Sequence, residues 1–246
     1  LSEADVRRAL DRGINFLNWC GHPDALSRTV ARLKSRREDV IVCVQLEAGT
    51  ARVAQRELTR MLRELQCDYV DILTFYYVER KAEWEEIVAP GGALAYCQRA
   101  REQGKVRLLG VTSHQRPLAA EMARSGLLDL LMIRYNAAHR GAEKEIFPIT
   151  DSLSLPVIAY TSLRWGALLR PTPEDPPGWQ VPPAPAWYRF VLNHPSVTVA
   201  LAAPNSAEEL EQDLSILDPW TPLSGEEYGQ LAAHGERVRR HVRYFP

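Results

Sequence analysis

The chain has 246 residues, 46% hydrophobic and 25% charged, a composition that suits a sizeable buried core and favours a single domain over residues 1–246. Thirty basic residues against 31 acidic ones leave a formal charge of -1, so no bulk field draws the chain to nucleic acid or an anionic membrane, and neither is expected as a partner. Cys20, Cys43, Cys67 and Cys97 lack the C-x-x-C spacing of zinc or iron–sulfur sites, and no apolar run reaches the ~20 residues of a membrane span, so a reduced, cytoplasmic, metal-free protein is expected.

The chain opens on a predicted helix, because Ser2 and Asp5 form an S-x-x-D capping box, and these first residues are too charged for a signal peptide. Seven β-type runs then alternate with helical stretches. The strands are expected at 14–19, 40–45, 69–77, 106–113, 130–136, 156–162 and 197–203, each with the continuous apolar character of a strand buried on both faces. Helices are expected at 24–39, 52–67, 93–104, 116–126, 144–154, 185–195 and 206–217. The basic run "ERVRRHVRYF" (236–245) fits a helical pattern with a solvated face. Between Pro171 and Pro185 lie seven prolines, which rule out helix or central strand there.

Strands alternating with helices imply a parallel sheet, either open and doubly wound or closed as a (β/α)8 barrel. No G-x-G-x-x-G follows the early strands, which counts against a Rossmann domain. A (β/α)8 barrel read onto this pattern lacks its first strand. In a barrel the proline-rich segment would overhang the C-terminal mouth, as a lid or as a stiff surface connection.

Among polar clusters, "RYNAAHRGAEKE" stands out, with Arg134, Asn136, His139 and Arg140 at one strand-to-helix turn. It is either a grip for an anion or substrate, or a loop network that caps the next helix and pairs with Glu143. His114, His194, His234 and His241 show no ligand spacing and read as surface or structural residues. Cys20 has no neighbouring base that would mark it as a nucleophile.

Six segments in order resemble motifs of the aldo-keto reductase superfamily: "RGINFLNW", "LRELQCDYVDILTFYY", "GKVRLLGVTS", "IRYN", "AYTSLRWG" and "VTVALAAPNSAEELEQDL". The resemblance implies a (β/α)8 barrel that reduces a small carbonyl compound with NADP(H). It also implies a tetrad of aspartate, tyrosine, lysine and histidine, in which the tyrosine protonates the carbonyl oxygen as hydride arrives. Matched residue by residue, the aspartate position carries Asn18, the lysine position Gln45 and the histidine position Tyr76. The tyrosine position falls on Pro23, with Trp19 or His22 able to fill its space and Cys20 beside them. The substitutions remove both members of an ion pair together, so neither charge is left buried alone.

On the cofactor side the resemblance implies Tyr160 stacking on nicotinamide, Thr112 and Ser113 at the carboxamide, and Met132 where the family has a glutamine. Thr161, Leu163 and Arg164 would wrap the pyrophosphate. Asn205 stands where many members place Arg or Lys for the 2′-phosphate, with Glu209 and Asp213 at the adenosine end. Two functional expectations follow: an NADP(H)-linked oxidoreductase with Tyr76 as a rearranged acid, or a redox-inactive barrel that binds a small ligand or partner at its mouth, a non-redox enzyme being a variant of the second.

Overall fold

The structure, a computed structural model, describes residues 1–241, so the end of the basic run at 242–246 lies outside the described residues. Two compact units divide the chain between Met132 and Ile133. All seven expected strands form, five of them shorter than the apolar run that announced them.

In the first unit, α1 (Glu3–Asp11) begins with the expected capping box: Asp5 N–H donates to Ser2 Oγ at 3.2 Å, and Ser2 N–H donates to the Asp5 carboxylate at 2.8 Å. Next come β1 (Phe16–Trp19), α2 (Ala25–Val30), β2 (Ile41–Leu46), α3 (Ala51–Leu65), β3 (Val70–Phe75), α4 (Lys81–Val88), α5 (Ala93–Glu102), β4 (Val106–Ser113) and α6 (Arg116–Arg124). Strands β1 to β4 pair in parallel and in chain order, with Asn18 opposite Cys43 and Gln45 opposite Thr74. Helix α3 shows why the pattern was readable: its buried residues Ala54, Leu58, Met61 and Leu65 recur every three or four positions, one stripe of a 3.6-residue helix.

Three expectations in this unit needed correction. The helix predicted over 24–39 stops at Val30, because Lys34 takes a left-handed conformation (φ 50°), and residues 34–39 continue as tight 3-10 turns. The strand predicted over 69–77 ends at Phe75, and Tyr76 and Tyr77 form a turn with Tyr77 at φ 44°. Helix α4 was not expected, since "KAEWEEIV" buries only Trp84 and Ile87, too few to set a period.

The lower ends of β2, β3 and β4 share a buried charge network. Asp71 accepts from Arg37 (2.8 Å), from Arg107 (2.9 Å) and from the backbone of Val42 (2.9 Å). Both guanidiniums also stack on the Tyr69 ring, each 4.2 Å from its centroid. Such an arrangement satisfies a carboxylate that is only 6% exposed.

Strand β5 (Leu130–Arg134) runs through the unit boundary. The second unit continues with α7 (Ala142–Glu145), α8 (Phe147–Leu153), β6 (Val157–Tyr160), α9 (Ala184–Leu192), β7 (Val197–Ala200), α10 (Ala207–Leu214) and α11 (Gly225–His241), with β6 and β7 parallel. The helix predicted at 144–154 is split at Ile146, because Pro148 lacks the N–H that a continuous helix would use. Helix α11 reaches back well beyond the basic run that hinted at it, burying Leu231, His234, Gly235 and Val238. A Cβ on Gly235 would lie 2.2 Å from the Ala137 carbonyl oxygen, so the absence of a side chain lets the helix backbone rest on that loop.

The proline-rich segment is tied to α11. Asp175 accepts from Arg237 Nε at 2.6 Å and from Thr172 N–H at 2.7 Å, while Trp179 Nε1 donates to His234 Nδ1 at 3.2 Å. Although desolvation pulls the Asp175 carboxyl upward, the bonds from Thr172 and Arg237 hold it down at about 2.

Candidate active site

In the first unit the candidate residues gather where β1, β2 and β3 end. Side chains alternate along β1, so Asn18 lies on one face, and Trp19, fully buried, lies on the other with its indole N–H donating to the His22 carbonyl at 2.8 Å. Asn18 and Trp19 therefore do not share a surface. Gln45 Nε2 donates to Asn18 Oδ1 across 3.4 Å, a neutral amide pair on adjacent strands. The other end of the Asn18 amide reaches Cys20 Sγ at 3.9 Å. Cys20 and His22 are exposed, and desolvation of the sulfur together with the Asp24 carboxylate pushes the Cys20 thiol up, which disfavours a thiolate.

Tyr76 is half-buried, its N–H donating to the Leu46 carbonyl at 3.0 Å. Its ring packs on that of Tyr77 with centroids 4.0 Å apart. Burial first, then a hydrogen bond to Tyr77 and the nearby Cys20 and Glu47, push the Tyr76 hydroxyl well above the usual phenol range.

Thr112 fixes this aromatic pair. Its Oγ1 accepts from Tyr77 N–H at 2.6 Å and donates to the Phe75 carbonyl at 3.3 Å, so the hydroxyl is engaged by the β3 turn. Ser113 Oγ accepts from Gln115 N–H at 3.1 Å, and Met132 is buried. Sequence reading passed over the companion of this turn: Glu79 Oε1 accepts from both the backbone N–H (2.8 Å) and Nδ1 (3.1 Å) of His114, whose ring lies 4.6 Å from that of Tyr77. Thirty-five residues separate the two, so no local spacing advertises the contact.

In the second unit, Asn136 is fully buried and spends its amide on backbone, donating to the Thr161 carbonyl at 2.8 Å and accepting from Ala138 N–H at 2.9 Å. Arg140 meets Glu143 through two bonds of 2.7 and 2.9 Å, and Tyr135 donates to the same carboxylate at 2.8 Å. Of the two readings of this turn, Arg140 and Glu143 follow the loop network. Arg134 acts through its charge on Arg164, described next.

The loop after Tyr160 winds through left-handed backbone at Thr161 (φ 57°), Arg164 (48°), Trp165 (49°) and Gly166 (78°). Leu163 closes it, its carbonyl accepting from Gly166 N–H at 3.0 Å. Arg164 is buried, and desolvation together with the charges of Arg134 and Arg239 pulls its guanidinium below the usual arginine range. Arg239, on α11, is paired with Glu236 through bonds of 2.8 and 2.6 Å, so it is the like charges of Arg164 and of Arg134, at the end of β5, that favour an anion beside this loop. Arg164, Trp165, Arg170, Thr172, Val238 and His241 help to line a cavity of about 330 Å³ beside it. Arg239, supplied by α11, had no signal beyond the basic run in which it sits.

Further along, Asn205 donates through its N–H (2.7 Å) and its Nδ2 (3.1 Å) to one oxygen of Glu209, and Ser206 caps α10 by accepting from Glu209 N–H at 3.2 Å. Burial and the Glu209 charge raise the Asp213 carboxyl to about 6, against a hydrogen bond from Tyr188. Among the described residues no group of three His, Cys, Asp or Glu side chains is placed to hold a metal, and no helix is long and apolar enough to cross a membrane.

Parallel strands alternating with helices, and polar clusters where the strands end, define an α/β protein of the (β/α)8 barrel class, of which seven strands lie among the described residues. The model of the aldo/keto reductase family matches residues 2–178, and the chain belongs to that family. It is 26% identical over 195 residues to the L-galactose dehydrogenase of Arabidopsis thaliana, covering 72% of this chain and 58% of that protein. To the uncharacterized oxidoreductase YrpG of Bacillus subtilis (strain 168) it is 28% identical over 120 residues, 46% of this chain and 35% of the other. The chain thus spans about a third to three-fifths of the length of these curated relatives. Among solved structures it is similar to the aldo-keto reductase AKR11C1 from Bacillus halodurans in its holo form, with a TM-score of 0.77 at 19% identity over 94% of this chain and 85% of that one. An aldo/keto reductase from Klebsiella pneumoniae in complex with NADP and acetate gives a TM-score of 0.77 at 22% identity over 96% and 85%.

Proposed function

We propose that the chain is a nicotinamide-dinucleotide-linked oxidoreductase acting on a small carbonyl compound, NADP(H) being the cofactor that its family implies. The observation that carries this reading is the Thr161–Gly166 loop, where Arg164 is buried in the field of Arg134 and Arg239. The positive charge of Arg164 and Arg134 suits a pyrophosphate, Arg239 being paired with Glu236, and Tyr160 precedes the loop as the aromatic surface for a nicotinamide. When bound, the dinucleotide supplies hydride. The chain's own part is to hold the carbonyl and deliver a proton to its oxygen, and Tyr76 carries the hydroxyl best suited to that step. With the amides of Asn18 and Gln45 in place of an ion pair, and burial and Tyr77 pushing that hydroxyl up, turnover is expected to be slow. Four free cysteines suit the reducing cytoplasm.

Titrating the protein into NADPH or NADH should quench and shift the reduced nicotinamide fluorescence, and Arg164→Ala should weaken that binding by about tenfold, the loss of one charge-assisted contact. No spectral change at millimolar cofactor would remove the hydride source. Where binding is seen, Tyr76→Phe should abolish reduction of small aldehydes and ketones, and retained turnover would move the acid elsewhere. The neutral Asn18–Gln45 pair favours a second reading, a redox-silent barrel that binds a small ligand; dinucleotide binding without any carbonyl turnover is its signature.

A further inference from the structure

Resting on the dinucleotide reading, the donor set at 205–213 decides which dinucleotide fits. A 2′-phosphate adds a dianionic group and calls for cations or free N–H donors. Here the backbone N–H of Asn205 and one N–H of its Nδ2 amide are already bonded to Glu209. The charge that acts on Asp213 comes from Glu209, and the hydroxyl of buried Tyr188 bonds to Asp213 and to the backbone of Ala203. Where the family resemblance would seat a 2′-phosphate, two carboxyls and an amide bonded to one of them stand in place of positive charge. A carboxylate is instead a good acceptor for a ribose hydroxyl, the same chemistry by which an acidic residue marks NAD in unrelated dinucleotide folds.

We infer that Glu209 and Asp213, with Asn205 held against Glu209, select the nicotinamide dinucleotide that lacks a 2′-phosphate, so that NAD(H) binds in preference to NADP(H). Arg164, on the 161–166 loop, and Arg134, at the end of β5, serve the pyrophosphate common to both dinucleotides.

Parallel calorimetric titrations with NADH and NADPH at low salt test this, with AMP and 2′,5′-ADP as fragments that report the adenosine end alone. NADH should bind about tenfold or more tightly than NADPH, AMP should outcompete 2′,5′-ADP, and added salt should narrow both gaps as the repulsion is screened. Asn205→Arg should shift the NADPH-to-NADH affinity ratio towards NADPH by about tenfold. The double change Glu209→Gln and Asp213→Asn should bring the two dinucleotides within about threefold, and circular dichroism identifies any variant that has not folded. NADPH bound as tightly as NADH by the unaltered protein would overturn the selection while leaving the dinucleotide reading intact. Binding of neither dinucleotide would overturn both together.

Discussion

At the scale of single residues, the exchange of Asp and Lys for Asn18 and Gln45 is one event in physical terms. Either charge alone would face a partly buried amide, whereas the two amides complete one another at 3.4 Å. Asn18→Asp and Gln45→Lys should each lower stability by about 1–2 kcal/mol, and the double variant should recover most of that loss. A double-mutant cycle by urea denaturation checks this, and purely additive losses would show that the two side chains do not couple. Asn18 was legible because it lies in a segment that resembles a family motif, and Gln45 because it ends the next apolar run, where the resemblance places a lysine. The Glu79–His114 contact and the service of Thr112 to Tyr77 were not, since each joins side chains far apart in the chain and no motif records them.

At the scale of elements, the strands could be read because they are apolar runs, β3 and β6 buried throughout and β1 and β7 only in part, while the ends of β3, β5, β6 and β7 were overestimated by two or three residues. The overrun has one cause: apolar and aromatic residues continue past the last ladder bond into turns, as at Tyr76, Thr161 and Leu201. Helices α4 and α11 were the harder cases. The first is short, and the second buries its stripe through His234 and Gly235, residues that do not count as apolar in a periodicity search. Fastening of the 171–183 segment to α11 depends on Asp175. Its folded pKa, about 2, lies below the unfolded carboxyl value, so its contribution is fully present above about pH 4 and fades as pH falls towards 2. Asp175→Asn should therefore cost about 1–2 kcal/mol at pH 7, after allowance for solvent, and much less at pH 2.5. Limited proteolysis within 171–183 should be faster in the variant at pH 7, and unchanged cleavage would mean that other contacts hold the segment.

For the whole molecule, it was the order of six motifs along the chain that made the fold readable, more than any one of them. What the order of motifs could not convey is the division at Met132, because compactness is a property of contacts and not of sequence distance. Ligand linkage offers a test at this scale. A dinucleotide that binds only the folded chain adds about 2.7 kcal/mol at a hundredfold excess over its Kd, enough to raise the melting temperature by several degrees. A melting point that stays fixed while nicotinamide fluorescence changes would mean that the unfolded chain binds the nucleotide as well.

One oxygen atom on β4 governs the aromatic corner of β3. Because the Thr112 hydroxyl receives one backbone N–H of the turn and donates to a carbonyl just before it, the stance of Tyr76 and Tyr77 is written in a strand to which neither belongs. Chemistry at that corner is therefore open to retuning through a residue that need never meet the substrate.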